Sequence, residues 1–570
     1  WPSSSRSRGK VRSTRTCSKT PACVSKPVCG GSGIGTRACV AEEMGVVLVA
    51  SALSPNIRER RDSSAALFTA DGQMIAQAAH IPVHLGAMPE AVMAVRALSP
   101  APDETYIVND PYTGGTHLPD ITLVHAVRAD GDEVGAYAVV RAHHSDVGGA
   151  TPGSMPPTSH SIFEEGLVIP PVRWARAGKT DRDIERLLLA NVRTPEMRRG
   201  DLAAQLAACE RGAERYSAML ARWGREYVEG AVRDLLDYAE RRTVAALAAR
   251  VPDGRYEARD CLEGDGVTDD DIELRVVITA KGGRLRMDFT GTAPATAGNV
   301  NCPIAVTRSA ALFVVRCLAG DVPTNGGVQR AVTVDAPAGT VVNAAWPRPV
   351  AAGNVETSQR ITDLLFSALA ECADVPAQGQ GTMNNMVFGG DGWTYYETLG
   401  GGQGASSTGD GPSGIHVGMS NTRNTPVEVF ELEHPMRIRV YALRAGSGGA
   451  GIHRGGDGVI REYEALTEID ASLIGERRRH APGGGHGGEP GKCGENFFNG
   501  EPVPGRIALT MRPGDVLRIE TPGGGGWGAP EDLSATSSCA QLRICRGGGG
   551  QRLRAAAASP RPSGRTPSLR

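Results

Sequence analysis

At 570 residues the chain is long enough for several domains and a large buried core. Its net charge of −2 hides an asymmetry. Residues 1–38 carry eight Lys/Arg and residues 533–570 carry seven, with no acid in either, which leaves 46 basic against 63 acidic residues in the body, about −17. An acidic body excludes nucleic acid as the partner. With neither an 18-residue apolar run nor a signal-peptide core, a membrane partner is excluded too, and a soluble, cytoplasmic protein is expected.

Both tails are rich in Ser, Arg, Gly and Pro, lack hydrophobic periodicity, and read as disordered. The first has the basic, acid-free composition of a transit peptide, although a mis-framed edge is the simpler reading of a chain that does not begin with Met. Five of the twelve cysteines lie in these tails. The other seven (Cys39, Cys209, Cys261, Cys302, Cys317, Cys372, Cys493) contain no C-x-x-C pair, so reduced thiols are expected rather than a zinc knuckle or a disulfide framework.

Residues 39–53 pattern as a helix leading into SPNIRERRD, which holds Arg60. Ser64–Phe68 reads as a strand, turned by Asp71-Gly72 into Met74–Ala76. In HIPVHLGAMPEAV, His80 and His84 are four apart, but Pro82 between them argues for an extended loop with structural or substrate-facing histidines rather than a metal pair. Arg60, His80 and His84 are the candidate substrate-binding residues.

The organising stretch is 106–149, YIVNDPYTGGTHLPDITLVHAVRADGDEVGAYAVVRAHHSDVGG. Asp130-Gly131 between the apolar runs Ile121–Val127 and Val134–Val140 predicts a hairpin. A turn centred on those two residues makes opposed positions sum to 261, so Leu118 faces His143 and Asp120 faces Arg141. His117, Asp120, His143 and His144 then gather at one open end, since paired strands lie about 5 Å apart. Imidazoles and a carboxylate at one point suit a borderline divalent metal. Asp110 and Asp146 fall close by in sequence.

Beyond the hairpin, 148–172 is a Gly/Pro-rich loop of the kind that lines a site; solvation is the default reading for its Glu164 and Glu165, and a base near the metal is the alternative for one of them. Asp181 and Asp201 are candidate helix caps, and Gly224 separates a third helix at about 226–249. Short β runs at 272–279 and 285–289 follow, then helices at about 306–318 and 355–370. From 379 to 528 glycine dominates, which with interleaved β runs means tight turns and close backbone approach. Ala177-Gly178-Lys179-Thr180 resembles the end of a P-loop, but Arg173 stands where the motif needs Gly; Gly491-Lys492 is followed by Cys493. No ATP site is predicted.

The expected fold class is α+β: multi-layer mixed sheets and hairpins, a helical block at about 181–251 and a Gly-rich β-dominated C-terminal half. The expected divisions are a disordered tail at 1–38, a metal-site region with the helical block at 39–251, a middle α+β region at 252–378, a Gly-rich β region at 379–530, and a disordered tail at 531–570.

Eight blocks, SPNIRERRDSSAALF, HIPVHLGAM, NDPYTGGTHLPDITLV, RAHHSDVGGATPGSM, RRGDLAAQLAA, SNTRNTPVEVFE, SGGAGIHRGGDGVIRE and TPGGGGWGAP, together resemble the hydantoinase B / oxoprolinase family over about 39–530. The resemblance implies an ATP-dependent cyclic amidohydrolase of the 5-oxoprolinase / N-methylhydantoinase type. ATP would be used by a separate hydantoinase A-type subunit in a hetero-oligomer. It also implies a metal on the His-x-x-Asp motif plus a later His, a mixed nitrogen/oxygen set that suits Mn, Zn or Fe. Here its members are His117, Asp120 and His143, with His144 the competing third ligand. Asp110 and Asp146 are the candidate catalytic or ligand-orienting carboxylates. The chain departs from the family at Ser63 and Ala65, where Phe and Cys are frequent, and at Pro323-Thr324-Asn325-Gly326-Gly327. Rival expectations are a component of an acetone- or acetophenone-type carboxylase and a non-catalytic scaffold for the A-type subunit.

Overall fold

The computed structural model describes residues 33–79 and 81–530. His80 and the expected tails, apart from 33–38, lie outside the described residues. Residues 33–38 already belong to the first helix, Gly33–Ser51, which starts before the expected boundary. The fold is α+β.

The N-terminal third is built on one antiparallel sheet. Its strands are β1 (Ser63–Thr69), β2 (Met74–Ala79), β3 (Glu104–Val108), β4 (Asp120–Arg128), β5 (Val134–His143), β6 (Val172–Arg176) and β7 (Lys179–Thr180), in the order β2-β1-β5-β4-β3-β6-β7. Leu67, Leu123 and Val140 pack on Met44 and Leu48 of the first helix and on Leu202 and Leu206 of the helix Pro195–Trp223. On the opposite face Phe68, Val124 and Val139 meet Met88, Val92 and Val95 of the helix Ala87–Arg96. Cover on both faces is why β4 and β5 read as continuous apolar runs instead of alternating ones. Each such side chain, fully buried, contributes about 2 kcal/mol.

The β4–β5 hairpin forms, but its register is not the expected one. Asp120 pairs with His143 and Thr122 with Arg141, so opposed positions sum to 263. Two irregularities account for the difference. Ala129 N–H donates to Glu133 O, which leaves a three-residue loop with Gly131 at φ +61. Val127 then pairs with Ala136 while Arg128 pairs with Val134, so Gly135 is an extra, bulged residue. Loop and bulge each add one residue, and the slip of two keeps every side chain on its expected face.

Ala177-Gly178 is the tight turn between β6 and β7, with both residues at positive φ. That is its use, not phosphate binding. In the helical block, Asp181 caps Arg182–Leu189 by accepting from the backbone of Asp183 and Ile184. Gly224, at φ +79, separates Pro195–Trp223 from Arg225–Arg250. Asp201 is not a cap of its own helix. It lies inside Pro195–Trp223, buried, paired with Arg198 (2.8 Å), and accepts from Leu53 and Ser54 N–H just past the end of the first helix.

The middle sheet has the order β11-β10-β9-β8, formed by β8 (Gly254–Leu262), β9 (Ile272–Lys281), β10 (Arg284–Asp288) and β11 (Val332–Asp335). Along β9 every second residue is buried. The helices Ile304–Ala319 and Ser358–Leu369 supply that buried core with Val314, Val315, Leu364 and Leu365. Past them, β12 (Asn385–Gly390) and β13 (Trp393–Thr398) join Ile469–Ile474 and Arg506–Met511 in a third sheet, order β13-β12 then those two. A fourth, of Met436–Arg444, Gly458–Ala465, Val516–Glu520, Glu495–Phe498 and Glu501–Pro502, contributes Tyr463 and Leu517 to a shared core with Phe388, Tyr395 and Leu473.

The glycine blocks are bundled against each other as extended chain, backbone to backbone. Gly402 N–H donates to Pro522 O, Gly449 N–H to Gly524 O, and Gly524 N–H to Gly456 O. A Cβ on Gly524 would stand 2.1 Å from Gln403 O. Gly524→Ala is therefore expected to cost about 3 kcal/mol in denaturant unfolding. Gly409→Ala, where a Cβ meets nothing within 4 Å, is the control and should be close to neutral.

Candidate metal centre

His117 precedes β4, and Pro119 keeps it off a helix; Asp120 opens β4, and His143 closes β5 directly opposite. The register therefore brings the three together at one end of the sheet. His117 Nε2 is 3.2 Å from His143 Nδ1 and 3.3 Å from Asp120 Oδ1, and His143 Nδ1 is 3.2 Å from the same carboxylate oxygen. All three are buried. Two donors about 2.0–2.1 Å from one ion at tetrahedral or octahedral angles are roughly 3 Å apart, so this spacing fits one small divalent cation. The far ring nitrogens, His117 Nδ1 and His143 Nε2, are buried without a hydrogen-bond partner, so the only polar direction these rings serve is towards each other and Asp120.

Asp120 is aimed from its other oxygen. Thr116 Oγ1 donates to Asp120 Oδ2 (2.5 Å), and His84 Nε2 stands 3.5 Å from the same atom. His84 is itself held through Nδ1 by Ser64 Oγ of β1 (2.9 Å), on a turn of 3-10 helix, Pro82–His84. Burial works to raise the Asp120 carboxyl, but attraction to His117 and hydrogen bonds from His117, His143 and His84 hold it well below its ordinary range. Burial pushes His143 down against the pull of Asp120. A carboxylate held in its charged form is what a divalent ion requires of Asp120.

The remaining expected residues fall elsewhere. His144 faces the opposite side of the sheet, with Nε2 2.8 Å from Gln205 Oε1; burial and the Arg198 guanidinium push it down to about 4. The alternation of β5 separates it from His143. Asp110 caps the turn Pro111–Thr113 by accepting from Tyr112 N–H (2.9 Å). Asp146 is buried and committed to Arg193, side chain (2.8 Å) and N–H (2.7 Å). Neither carboxylate is hydrogen-bonded to the imidazole cluster: Asp110 holds a turn and Asp146 holds Arg193.

Arg60 is buried and donates to Tyr396 O (2.7 Å), Thr398 Oγ1 (2.9 Å) and Thr422 Oγ1 (3.4 Å), with its guanidinium 5.0 Å from the Tyr396 ring centre. It braces the wall of the site from behind. The cleft over the cluster is walled by Ile81, Val83, Val355 and Met383 on apolar sides and by Asn354, Thr398, Ser420 and Thr422 on polar ones. Tyr396 stacks on His143 (4.5 Å, 18°), and its hydroxyl donates to Asn385, whose amide donates to Glu356. The sequence holds no local signal for Tyr396 or the threonines, which arrive from more than 250 residues away.

Glu165 was expected to be solvated and is fully buried. It accepts from Ser159 Oγ, Val350 N–H and Ala351 N–H, binding the 148–172 loop to the middle region. Cys209, Cys302 and Cys261 are not activated nucleophiles: burial raises Cys209 and Cys302 strongly, and burial with Asp271 and Asp260 pushes Cys261 up to about 11.

The fold is shared with solved proteins. It is similar to an ATP-dependent caprolactamase from Pseudomonas jessenii, with a TM-score of 0.81 and 27% identity over 90% of this chain and 92% of that one. It is also similar in fold to acetone carboxylase in a nucleotide-free structure, with a TM-score of 0.79 and 18% identity, covering 89% and 76%. The chain belongs to the Hydantoinase B/oxoprolinase family, whose profile matches residues 36–530. Among relatives, an uncharacterized protein of Methanocaldococcus jannaschii is 41% identical over 86% of this chain and 88% of its own length. A putative B-type subunit of a D-/L-hydantoinase from a Pseudomonas species is 30% identical over 87% and 89%. The 5-oxoprolinase 1 of Arabidopsis thaliana is 38% identical, but this chain spans only 41% of it. No helix among the described residues is long and apolar enough to cross a membrane.

Burial pushes Glu165 up to about 7 against the hydrogen bonds of Val350, Ala351 and Ser159. Glu165 therefore binds its proton more tightly folded than unfolded. Its contribution to stability is complete below about pH 4.5 and is lost as pH rises through about 7. Between those limits the stability of the parent relative to Glu165→Gln should fall by on the order of 3 kcal/mol, read by urea unfolding at each pH.

Proposed function

We propose that this chain is the metal-bearing component of an ATP-dependent cyclic amidohydrolase that works with a separate ATP-binding, hydantoinase A-type subunit. The observation that carries this reading is the buried convergence of His117 Nε2, Asp120 Oδ1 and His143 Nδ1 at 3.2–3.3 Å beneath a cleft. The family and the likeness to a caprolactamase supply the reaction class. The like-sized B-type hydantoinase chain supports the division of labour, as does the use of Ala177-Gly178-Lys179-Thr180 as a hairpin turn.

An amide carbonyl is a poor electrophile, and transfer of a phosphoryl group to its oxygen by the partner makes that oxygen a leaving group. A divalent ion of the Mn, Fe or Zn type held by His117, Asp120 and His143 would supply a hydrolytic water that ionises near neutral pH. Ca and Mg, which prefer all-oxygen shells, suit this donor set poorly. Thr116 and His84 fix the carboxylate, so Asp120 presents one oxygen to the site and keeps the other occupied. Tyr396, stacked on His143 and braced by Arg60, holds the imidazole plane. Ser420, Thr422 and Asn354 give the cleft its polar lining, beside the apolar Ile81 and Val83.

His117→Ala and Asp120→Ala should each hold about one equivalent less metal than the parent, by elemental analysis, and lose ring opening by at least about 100-fold, the scale expected when a ligand to a catalytic ion is removed. The hydrophobic cores on both faces of the sheet do not include these side chains, so circular dichroism should be unchanged. Activity is read with the purified A-type partner and ATP, on 5-oxoproline, hydantoin and caprolactam, with a ketone plus bicarbonate in parallel. Metal retained at full occupancy in both variants defeats the assignment of the site. Carboxylation without ring opening defeats the amidohydrolase reading alone.

A further inference from the structure

A second cluster of ligand atoms lies outside this cleft. Cys261, Asp271 and His480 offer a sulfur, a carboxylate oxygen and an imidazole nitrogen, all within 4.8 Å of one another. Cys261 is near the end of β8 and Asp271 immediately precedes β9, so the strand pairing Leu262–Ile272 sets their separation. His480 reaches them from the C-terminal region, 209 residues from Asp271 in sequence, with Nε2 2.8 Å from Asp271 Oδ2.

The approach of His480 is not a loose surface encounter. The Glu263 carboxylate accepts three successive backbone N–H groups, those of Arg478 (2.7 Å), Arg479 (2.9 Å) and His480 (2.7 Å). That clamp fixes the chain on which the imidazole stands. Arg479 Nη2 occupies the other oxygen of Asp271 (2.8 Å), which leaves Oδ2 to face the imidazole. Asp271 and His480 keep 43% and 40% of their side-chain surface exposed, so an ion can enter and a water can complete its shell.

We propose that Cys261, Asp271 and His480 form a second divalent-metal site, of the Zn type, that staples the middle sheet to the C-terminal region. Thiolate, imidazole and carboxylate together select a borderline-soft ion over Mg or Ca. The cation takes the place of the thiol proton, which passes to solvent on binding. The site is independent of the cleft chemistry, and it has a signature the central cluster lacks, because His117, Asp120 and His143 contain no sulfur.

Cobalt(II) is the probe. Titrated into the full chain, it should produce a thiolate-to-cobalt charge-transfer band that persists in His117→Ala and disappears in Cys261→Ser. His480→Ala, an exposed change expected to leave the fold intact, should weaken the cobalt affinity that this band reports by at least tenfold while the thiol of Cys261 remains titratable. Zinc should raise the melting temperature of His117→Ala but not that of the Cys261→Ser, His117→Ala double variant. Absence of the band in the parent, its survival in Cys261→Ser, or an affinity unaltered by His480→Ala would each overturn the proposal.

Discussion

The pairing of Asp120 with His143 across β4 and β5 is the constraint on which the site depends. It brings a carboxylate and an imidazole to within 3.2 Å, and His117 completes the set from the loop just before β4. Side chains alternate along a strand, so a slip of one residue would bury His144 there and turn His143 away. The three-residue loop and the Gly135 bulge avoid that outcome because their two added residues preserve parity. Cover on both faces of the sheet then locks the pairing, since any other register would unpack Leu123, Val124, Val139 and Val140 together.

Around that pair, the site is assembled from distant parts of the chain. β1 contributes Ser64 to hold His84, and β13 contributes Tyr396 to stack on His143. Arg60, just before β1, ties those regions by donating to Tyr396 O and Thr398. A buried ion network performs a similar service below. Arg360 reaches Asp260 (3.2 Å) and Glu476 (3.1 Å), and Arg477 reaches Asp363 (2.6 Å), so the middle helix, β8 and the C-terminal region share charges that none can leave unpaired. Breaking one partner of such a set exposes a desolvated charge, which makes it a device for fixing relative position more than a source of net stability.

The glycine-rich segments hold the C-terminal region together by a different means. Their backbones approach so closely that even a methyl group at Gly524 would overlap a carbonyl oxygen. The chain there is neither helix nor sheet, yet its N–H and C=O groups are paired laterally between segments. Composition alone indicated close approach and tight turns, and the structure extends this to segments joined side by side through their backbones.

What local chemistry dictates was legible in the amino-acid order: the β1–β2 and β4–β5 hairpins from their Asp-Gly turns, the Asp181 cap, the break at Gly224, and the His-x-x-Asp pattern with a later His as a set of ligand types. Apart from the later His, those features depend on residues within a few positions of one another. The tertiary structure alone decided how the candidates were used. It set the loop and bulge that place Asp120 opposite His143, and it committed Asp110 to a turn, Asp146 to Arg193 and Asp201 to the first helix. It also buried Glu165, brought Tyr396 onto His143, and joined His480 to Asp271. Most of these are contacts between residues far apart in the chain. Polar groups so placed are held by whichever partner burial supplies, because an unpaired one would be costly, and no spacing rule encodes which partner that is.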